Sequence, residues 1–289
     1  MFQAYLPALV IGAAGSSVIH LSKGFMKLGQ VKKGQSLGRL WFFLGVALNF
    51  STPFWILWAN LFAPPVYFTS MYGSGLVALL IFSALVLNES LSASKMAGAL
   101  FVSFGTLALG LVRLGYPLPP LVGANPWPLV SFAALWISAF LLVMALGRGL
   151  GTGAQEFLFG LFGGVLAALD VFLKGLAQST TGEAAFFPKS PLGWFLLLLS
   201  LVAAAGAFGA IQWSFRRQCR VAIMGTVYTL FYVIAPYGIL FLTGQSLGGR
   251  EAWLANLAGL LVLAPGIVLL SWKKTTQVAP ILSPKGVNP

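Results

Sequence analysis

The sequence predicts an all-α polytopic membrane protein of about nine transmembrane helices, with ten as the upper count, built from two inverted repeats. Three observations carry that expectation. Hydrophobic residues make up 58% of the 289 and charged residues only 8%, against about 25% charged in a soluble domain. The apolar residues fall repeatedly in runs of about 20, the length that crosses a bilayer as a helix. Finally, residues of the first half recur in the second in the same order. This composition excludes a disordered chain, and a single cysteine excludes a disulfide-stapled module. The +12 net charge would suggest nucleic acid in a soluble chain, but here the basic residues sit between apolar runs and read as a topology signal.

The nine runs are 4–22, 38–60, 64–87, 95–114, 127–147, 156–178, 190–213, 217–242 and 252–271. In the first, basic residues follow the apolar stretch instead of preceding it, so it reads as a span and not as a cleaved export leader. The second contains Ser51-Thr52-Pro53, where proline is expected to kink the helix and free carbonyls. Ala63-Pro64-Pro65 separates it from the third, because prolines start helices but do not continue them. Ser90, Ser92 and Ser94 offer a cap ahead of the fourth, and the fifth stands between the halves. Arg216, Arg217 and Arg220 divide the seventh from the eighth. The resulting units are a first repeat over 1–115, a linker helix over 126–148, a second repeat over 155–272 and a tail over 273–289.

Lysine and arginine asymmetry orients the chain. With the N-terminus outside and the C-terminus cytoplasmic, thirteen basic residues fall inside: Lys23, Lys27, Lys32, Lys33, Arg39, Lys95, Arg148, Arg216, Arg217, Arg220, Lys273, Lys274 and Lys285. Four fall outside: Arg113, Lys174, Lys189 and Arg250. The expected location is the plasma membrane, the inner membrane of a bacterial cell.

The repeat is read from paired landmarks. Lys23-Gly24 late in the first span matches Lys174-Gly175 late in the sixth. Trp41 and Phe62 bracket the second span as Trp194 and Phe215 bracket the seventh, and Gly98 and Gly105 match Gly259 and Gly266. Four spans, one linker span and four more place the second unit upside down relative to the first, the usual construction of secondary transporters. The small-residue runs at 12–17 and 160–164 allow close helix packing on equivalent spans.

Polar residues inside the spans are few and mark a candidate pathway. Asp170 is the one acid well inside a span, and Lys174, one turn on, is placed to pair with it. Ser17, His20, Asn49 and Tyr72 are the other candidates, with Glu89 and Glu156 at the cytoplasmic rim as helix caps or solvated charges. A lone histidine such as His20 is more often a packing residue, and a mid-span asparagine such as Asn49 more often interhelical glue, than a substrate contact. Cys219 lies beside arginines that favour its thiolate. No nucleophile–base pair, ligand cluster or phosphate loop points to an enzyme, no cofactor is implied, and no metal ligands are assigned.

With those residues in hand, the sequence resembles the NIPA-type magnesium transporters, a branch of the drug/metabolite transporter (EamA-like) superfamily. The resemblance rests on Gly15-Ser16-Ser17-Val18-Ile19-His20-Leu21-Ser22-Lys23-Gly24, on Phe62-Ala63-Pro64, on Leu87-Asn88-Glu89-Ser90-Leu91, and on the glycines at 98 and 105, and covers residues 6–110. It implies a transporter fold and, for the branch, Mg²⁺ as substrate. Val46, in Gly45-Val46-Ala47-Leu48-Asn49-Phe50, stands where the family carries an acid. Mg²⁺ needs several oxygen ligands, so a small organic solute held by aromatic and amide groups fits this composition at least as well. The expected function is therefore alternating-access transport of a small solute or Mg²⁺. The alternatives are an exporter of a small organic solute or amine without magnesium activity, and a lipid-handling or scaffold protein that does not transport. Expected partners are the bilayer, the solute or Mg²⁺ and, as an option, a second copy of the chain, but not nucleic acid.

Overall fold

The computed structural model describes residues 2–32, 35–88, 93–118, 121–146, 149–182, 185–219, 221–244 and 249–271. Its elements are α1 (Phe2–Val31), α2 (Ser36–Phe50), α3 (Thr52–Asn60), α4 (Pro65–Ser70), α5 (Ser74–Leu85), α6 (Ala93–Gly115), α7 (Trp127–Leu146), α8 (Thr152–Ser179), α9 (Pro191–Arg216), α10 (Val221–Leu242) and α11 (Arg250–Ser271). No strand occurs among the described residues. Among the described residues, eight stretches are long and apolar enough to cross a membrane: Tyr5–Val31, Ser36–Asn60, Pro65–Leu85, Met96–Gly115, Trp127–Ala145, Thr152–Ser179, Pro191–Arg216 and Ile223–Leu242. The protein is thus an all-helical, membrane-embedded chain. The last predicted run, 252–271, lies in the 22-residue helix α11.

Outward-facing apolar side chains fit that setting. Leu135, Leu141 and Leu142 on α7 are exposed, as are Leu198 and Val202 on α9 and Leu257 and Leu261 on α11. In water such a surface is unfavourable, whereas in lipid it needs no cover.

Two predicted breaks occur where expected. Helix α2 ends at Phe50 and α3 restarts with Pro53 in its first turn. Ser51 Oγ donates to the Leu48 carbonyl and Thr52 Oγ1 to the Asn49 carbonyl, both at 2.6 Å, so neighbouring hydroxyls satisfy the loosened turn. Pro64 then halts the chain and α4 starts at Pro65.

Two expectations are corrected. The first span does not end at residue 22: α1 continues to Val31 with Lys23 and Lys27 inside it. A hydropathy reading stops at the first lysine, but Lys23 is 1% exposed and finds its partners inside the protein. It therefore leaves the cytoplasmic loop count. Arg113 likewise leaves the outer count, being fully buried and donating to Asn256 of α11. The third span is not one helix either. It breaks at Met71–Gly73, between α4 and α5, with no proline to announce it. The carbonyl of Tyr72 accepts from Ser16 Oγ, and that of Gly73 accepts from Ser103 Oγ at 2.8 Å.

Helix α1 packs against α2, α3, α4 and α5, while α8 packs against α9 and α10, so each half has a central helix. The halves meet reciprocally. The later part of α1 touches α9 and α10 through Gln30–Gln212 and His20–Thr229. The later part of α8 touches α3 and α4 through Gln178 on the Leu57 carbonyl and Gly175 against Pro65. Helices α6 and α11 run antiparallel along each other, Gly98 facing Gly266 at one end and Arg113 meeting Asn256 at the other.

Candidate functional site

A cavity of about 380 Å³ lies where the halves meet. Ile19, Asn49, Pro53, Ile56 and Tyr72 line it from the first half, and Ala167, Asp170, Ala207, Ile211, Tyr228 and Tyr232 from the second. Phe50 and Leu201, both mid-span and both lining it, are 71% and 43% exposed. On this side α2 and α9 meet through the Phe50 and Phe208 rings, whose centres are 6.2 Å apart.

The polar wall is built from α1 upward. Ser16, His20 and Lys23 recur at the three- and four-residue spacing that stacks side chains on one helix face, and all three are buried. Ser16 Oγ donates to the Tyr72 carbonyl and accepts from the Gly75 N–H at 3.1 Å, tying α1 to both sides of the α4–α5 break. Gly75 is required there, since a Cβ would lie 2.3 Å from the Ser16 carbonyl oxygen. His20 Nδ1 lies 2.9 Å from the Ser16 carbonyl, which only accepts, so Nδ1 carries the proton. Nε2 is 3.4 Å from Thr229 Oγ1.

Lys23 Nζ donates to Tyr72 Oη at 2.9 Å and sits 4.1 Å from the centre of the Tyr228 ring, a cation–π arrangement that offsets desolvation. The Tyr72 and Tyr232 rings are 4.0 Å apart, and Tyr228 lies 6.2 Å from Tyr72. Across this aromatic wall Asp170, 3% exposed, forms an ion pair with fully buried Lys174 one turn along α8. Counted as ionised, two lysines face one carboxylate around this wall.

The predicted residues separate accordingly. Asn49, Tyr72 and Asp170 line the cavity together. His20 and Lys174 stand behind the wall, bonded to Ser16 and Asp170. Ser17 is half-buried and its hydroxyl turns back onto the Ala13 carbonyl at 3.0 Å, so it is adjacent Ser16 that serves the site. Glu156 is 1% exposed in the second turn of α8, a buried position and not a solvated one. Glu89 lies outside the described residues. The small-residue run at 160–164 meets α10, a Cβ on Gly164 falling 2.4 Å from the Tyr228 carbonyl oxygen.

Sequence reasoning missed Ser16, Lys23, Tyr228 and Tyr232. Two signals were present: Lys23 is the repeat counterpart of Lys174, and Tyr228 and Tyr232 are four apart on one helix face. The expectation for Cys219 is reversed. The thiol is buried in the turn between α9 and α10, and burial, then the Glu156 charge, pushes it up to about 11 despite Lys27 and Arg217.

Among the described residues no three His, Cys, Asp or Glu side chains are grouped to hold a metal ion. Comparison with protein-family models, with curated proteins and with solved structures finds no match.

Proposed function

We propose that the protein is a secondary transporter that carries a small organic solute by alternating access, similar in plan to the drug/metabolite transporters. The observation that carries this reading is the cavity between the two halves, lined by Asp170, which is paired with Lys174 behind the wall. A scaffold with transporter ancestry has no reason to keep a buried ion pair beside a solute-sized space, because the pair costs desolvation that apolar packing avoids.

In this reading each four-span half is one repeat, α11 is a ninth crossing, and α7 links the units. The antiparallel run of α6 and α11, the fourth span of each unit, supports inversion, as do the reciprocal contacts of α1 and α8. A plasma-membrane protein with N-terminus outside and C-terminus inside follows from the loop lysines and arginines. Removing buried Lys23, Arg113 and Lys174 from the count strengthens that asymmetry.

An organic solute is favoured over Mg²⁺ by the donor set. The cavity offers one carboxylate, already neutralised by Lys174, with the Lys23 ammonium behind Tyr72 and Tyr228. A hydrated dication requires several oxygen ligands and a net negative site. The test is uptake by the purified chain in proteoliposomes, comparing Mg²⁺ with amines, amino acids and sugars. Saturable flux of an organic solute is expected, with Mg²⁺ at the level of empty liposomes and Asp170→Asn lowering the solute flux at least about tenfold. Flux of none of these would overturn transport, and Mg²⁺ flux alone would restore the magnesium reading.

Exposed apolar residues that also line the cavity, Phe50 and Leu201, favour one second reading, lipid handling. Transbilayer movement of a labelled phospholipid without solute flux would select it.

A further inference from the structure

Two exposed arginines stand at one end of the seam between α2 and α9. The ends of three helices gather there. Gly38, in the first turn of α2, packs on the Lys32 carbonyl after α1, and Gln30 of α1 donates to Gln212 of α9 at 3.3 Å. Lys27 Nζ also lies 5.8 Å from the centre of the Phe215 ring, in the last turn of α9. Arg39 in the first turn of α2 and Arg216 at the last residue of α9 are both exposed at this end.

Helical spacing continues each arginine into an apolar stripe. Arg39, Phe43, Val46 and Phe50 recur at the intervals of four, seven and eleven residues that share one helix face, and Phe43 and Phe50 are both exposed. That face borders α9, because it carries the Phe50 ring that meets Phe208. On α9, Leu198, Val202, Ala205 and Arg216 share a face in the same way, and all four are exposed. Acyl chains cover such stripes, and charge at the end of a stripe lies at headgroup depth. Among the described residues neither arginine is in an ion pair. Glu156, whose charge reaches Cys219 just after α9, is 1% exposed, and half-buried Lys32 and Arg217 add charge of the same sign. The general excess of basic residues on one side of a membrane asks only for charge there. It does not ask for arginines that end adjoining apolar stripes.

We propose that this end of the α2–α9 seam is a binding site for a phospholipid with a net negative headgroup, its phosphate held by Arg39 and Arg216 and its chains laid along the two stripes. A guanidinium stays charged at a membrane surface and meets phosphate oxygens through paired N–H groups. A zwitterionic lipid carries the same phosphate, but its ammonium group brings a cation beside two arginines, so the anionic lipid is selected. A free phosphate compound meets the arginines alone, whereas a lipid also covers Phe43, Phe50, Leu198 and Val202. This inference goes beyond the transport reading, because a lipid bound here does not require that the chain move anything.

The experiment titrates the purified full chain in detergent with phosphatidylglycerol and with phosphatidylcholine of the same acyl chains, reading bound lipid by native mass spectrometry. Phosphatidylglycerol is expected to bind at least about tenfold more tightly. Replacing both arginines, Arg39→Gln with Arg216→Gln, is expected to remove that preference. Lys189→Gln with Arg250→Gln, at exposed positions on the other end of the bundle, is expected to keep it. Equal affinity for the two lipids overturns the proposal, and so does a preference retained by the folded double-arginine variant. An equal loss in the Lys189 and Arg250 variant also overturns it, since net charge alone would then set the affinity. Glycerol phosphate in excess is expected to leave the lipid bound; displacement would assign the arginines to a free phosphate compound and overturn the lipid site. If the double-arginine variant does not fold, the single variants and the two lipids on the unaltered chain decide the matter. Flux is not read at any point, so failure here is separate from failure of the transport assignment.

Discussion

Asp170, Lys174 and Lys23 show how a chain with few charges holds charge in its interior. Asp170 and Lys174 neutralise each other on one helix, and Lys23 is held by a hydroxyl and an aromatic face. The pair was legible in the sequence, because i,i+4 spacing inside an apolar run leaves little choice of partner. Lys23 was not, because its partners come from α4–α5 and α10, and no local pattern announces a tyrosine from a distant helix. Cys219 supplies a test at the same scale. With the thiol titrating near 11, the thiolate fraction at pH 7 is very small, and it rises with pH. Labelling of the folded protein by a small maleimide should therefore be slow at pH 7, and accelerate as pH rises towards 10. Rapid labelling at pH 7 would show that Cys219 is neither buried nor near Glu156.

Among the elements, helices that end at proline were readable and the break at Met71–Gly73 was not. A proline removes an N–H and clashes with the preceding turn, so Pro53 and Pro64 mark their own breaks. The α4–α5 break is held open by hydroxyls on other helices, Ser16 and Ser103, so its cause is tertiary. Such interrupted helices are tolerated in a membrane where they border a cavity, and Tyr72 at this one reaches the central cavity. The glycine landmarks shared by α6 and α11 have a packing cause. A Cβ on Gly266 would fall 2.7 Å from the Gly98 carbonyl oxygen, so the two backbones touch. Gly266→Ala should cost about 1–3 kcal/mol, read as a lower unfolding midpoint in detergent. An unchanged midpoint would mean that α11 does not pack on α6 in this way.

For the whole molecule, the charge scarcity that identified a membrane protein also carries its proposed orientation. Lys189 is exposed after α8 and Gln35 is exposed before α2. In a Cys219→Ser background, a membrane-impermeant maleimide applied to intact cells should label Lys189→Cys and spare Gln35→Cys. The opposite pattern would invert the topology.

For a ligand that enters past the exposed cavity-lining residues Phe50 and Leu201, lipid is the first solvent it meets. A molecule that arrives there has first dissolved in lipid, so two equilibria stand in series, partition and then occupancy. The concentration that governs filling is the one in the hydrocarbon, which exceeds the aqueous value by the partition coefficient. Apparent affinity measured against aqueous dose would then shift with the lipid-to-protein ratio. Within a ligand series it would track oil–water distribution even when every contact with Asn49, Tyr72 and Asp170 stayed the same.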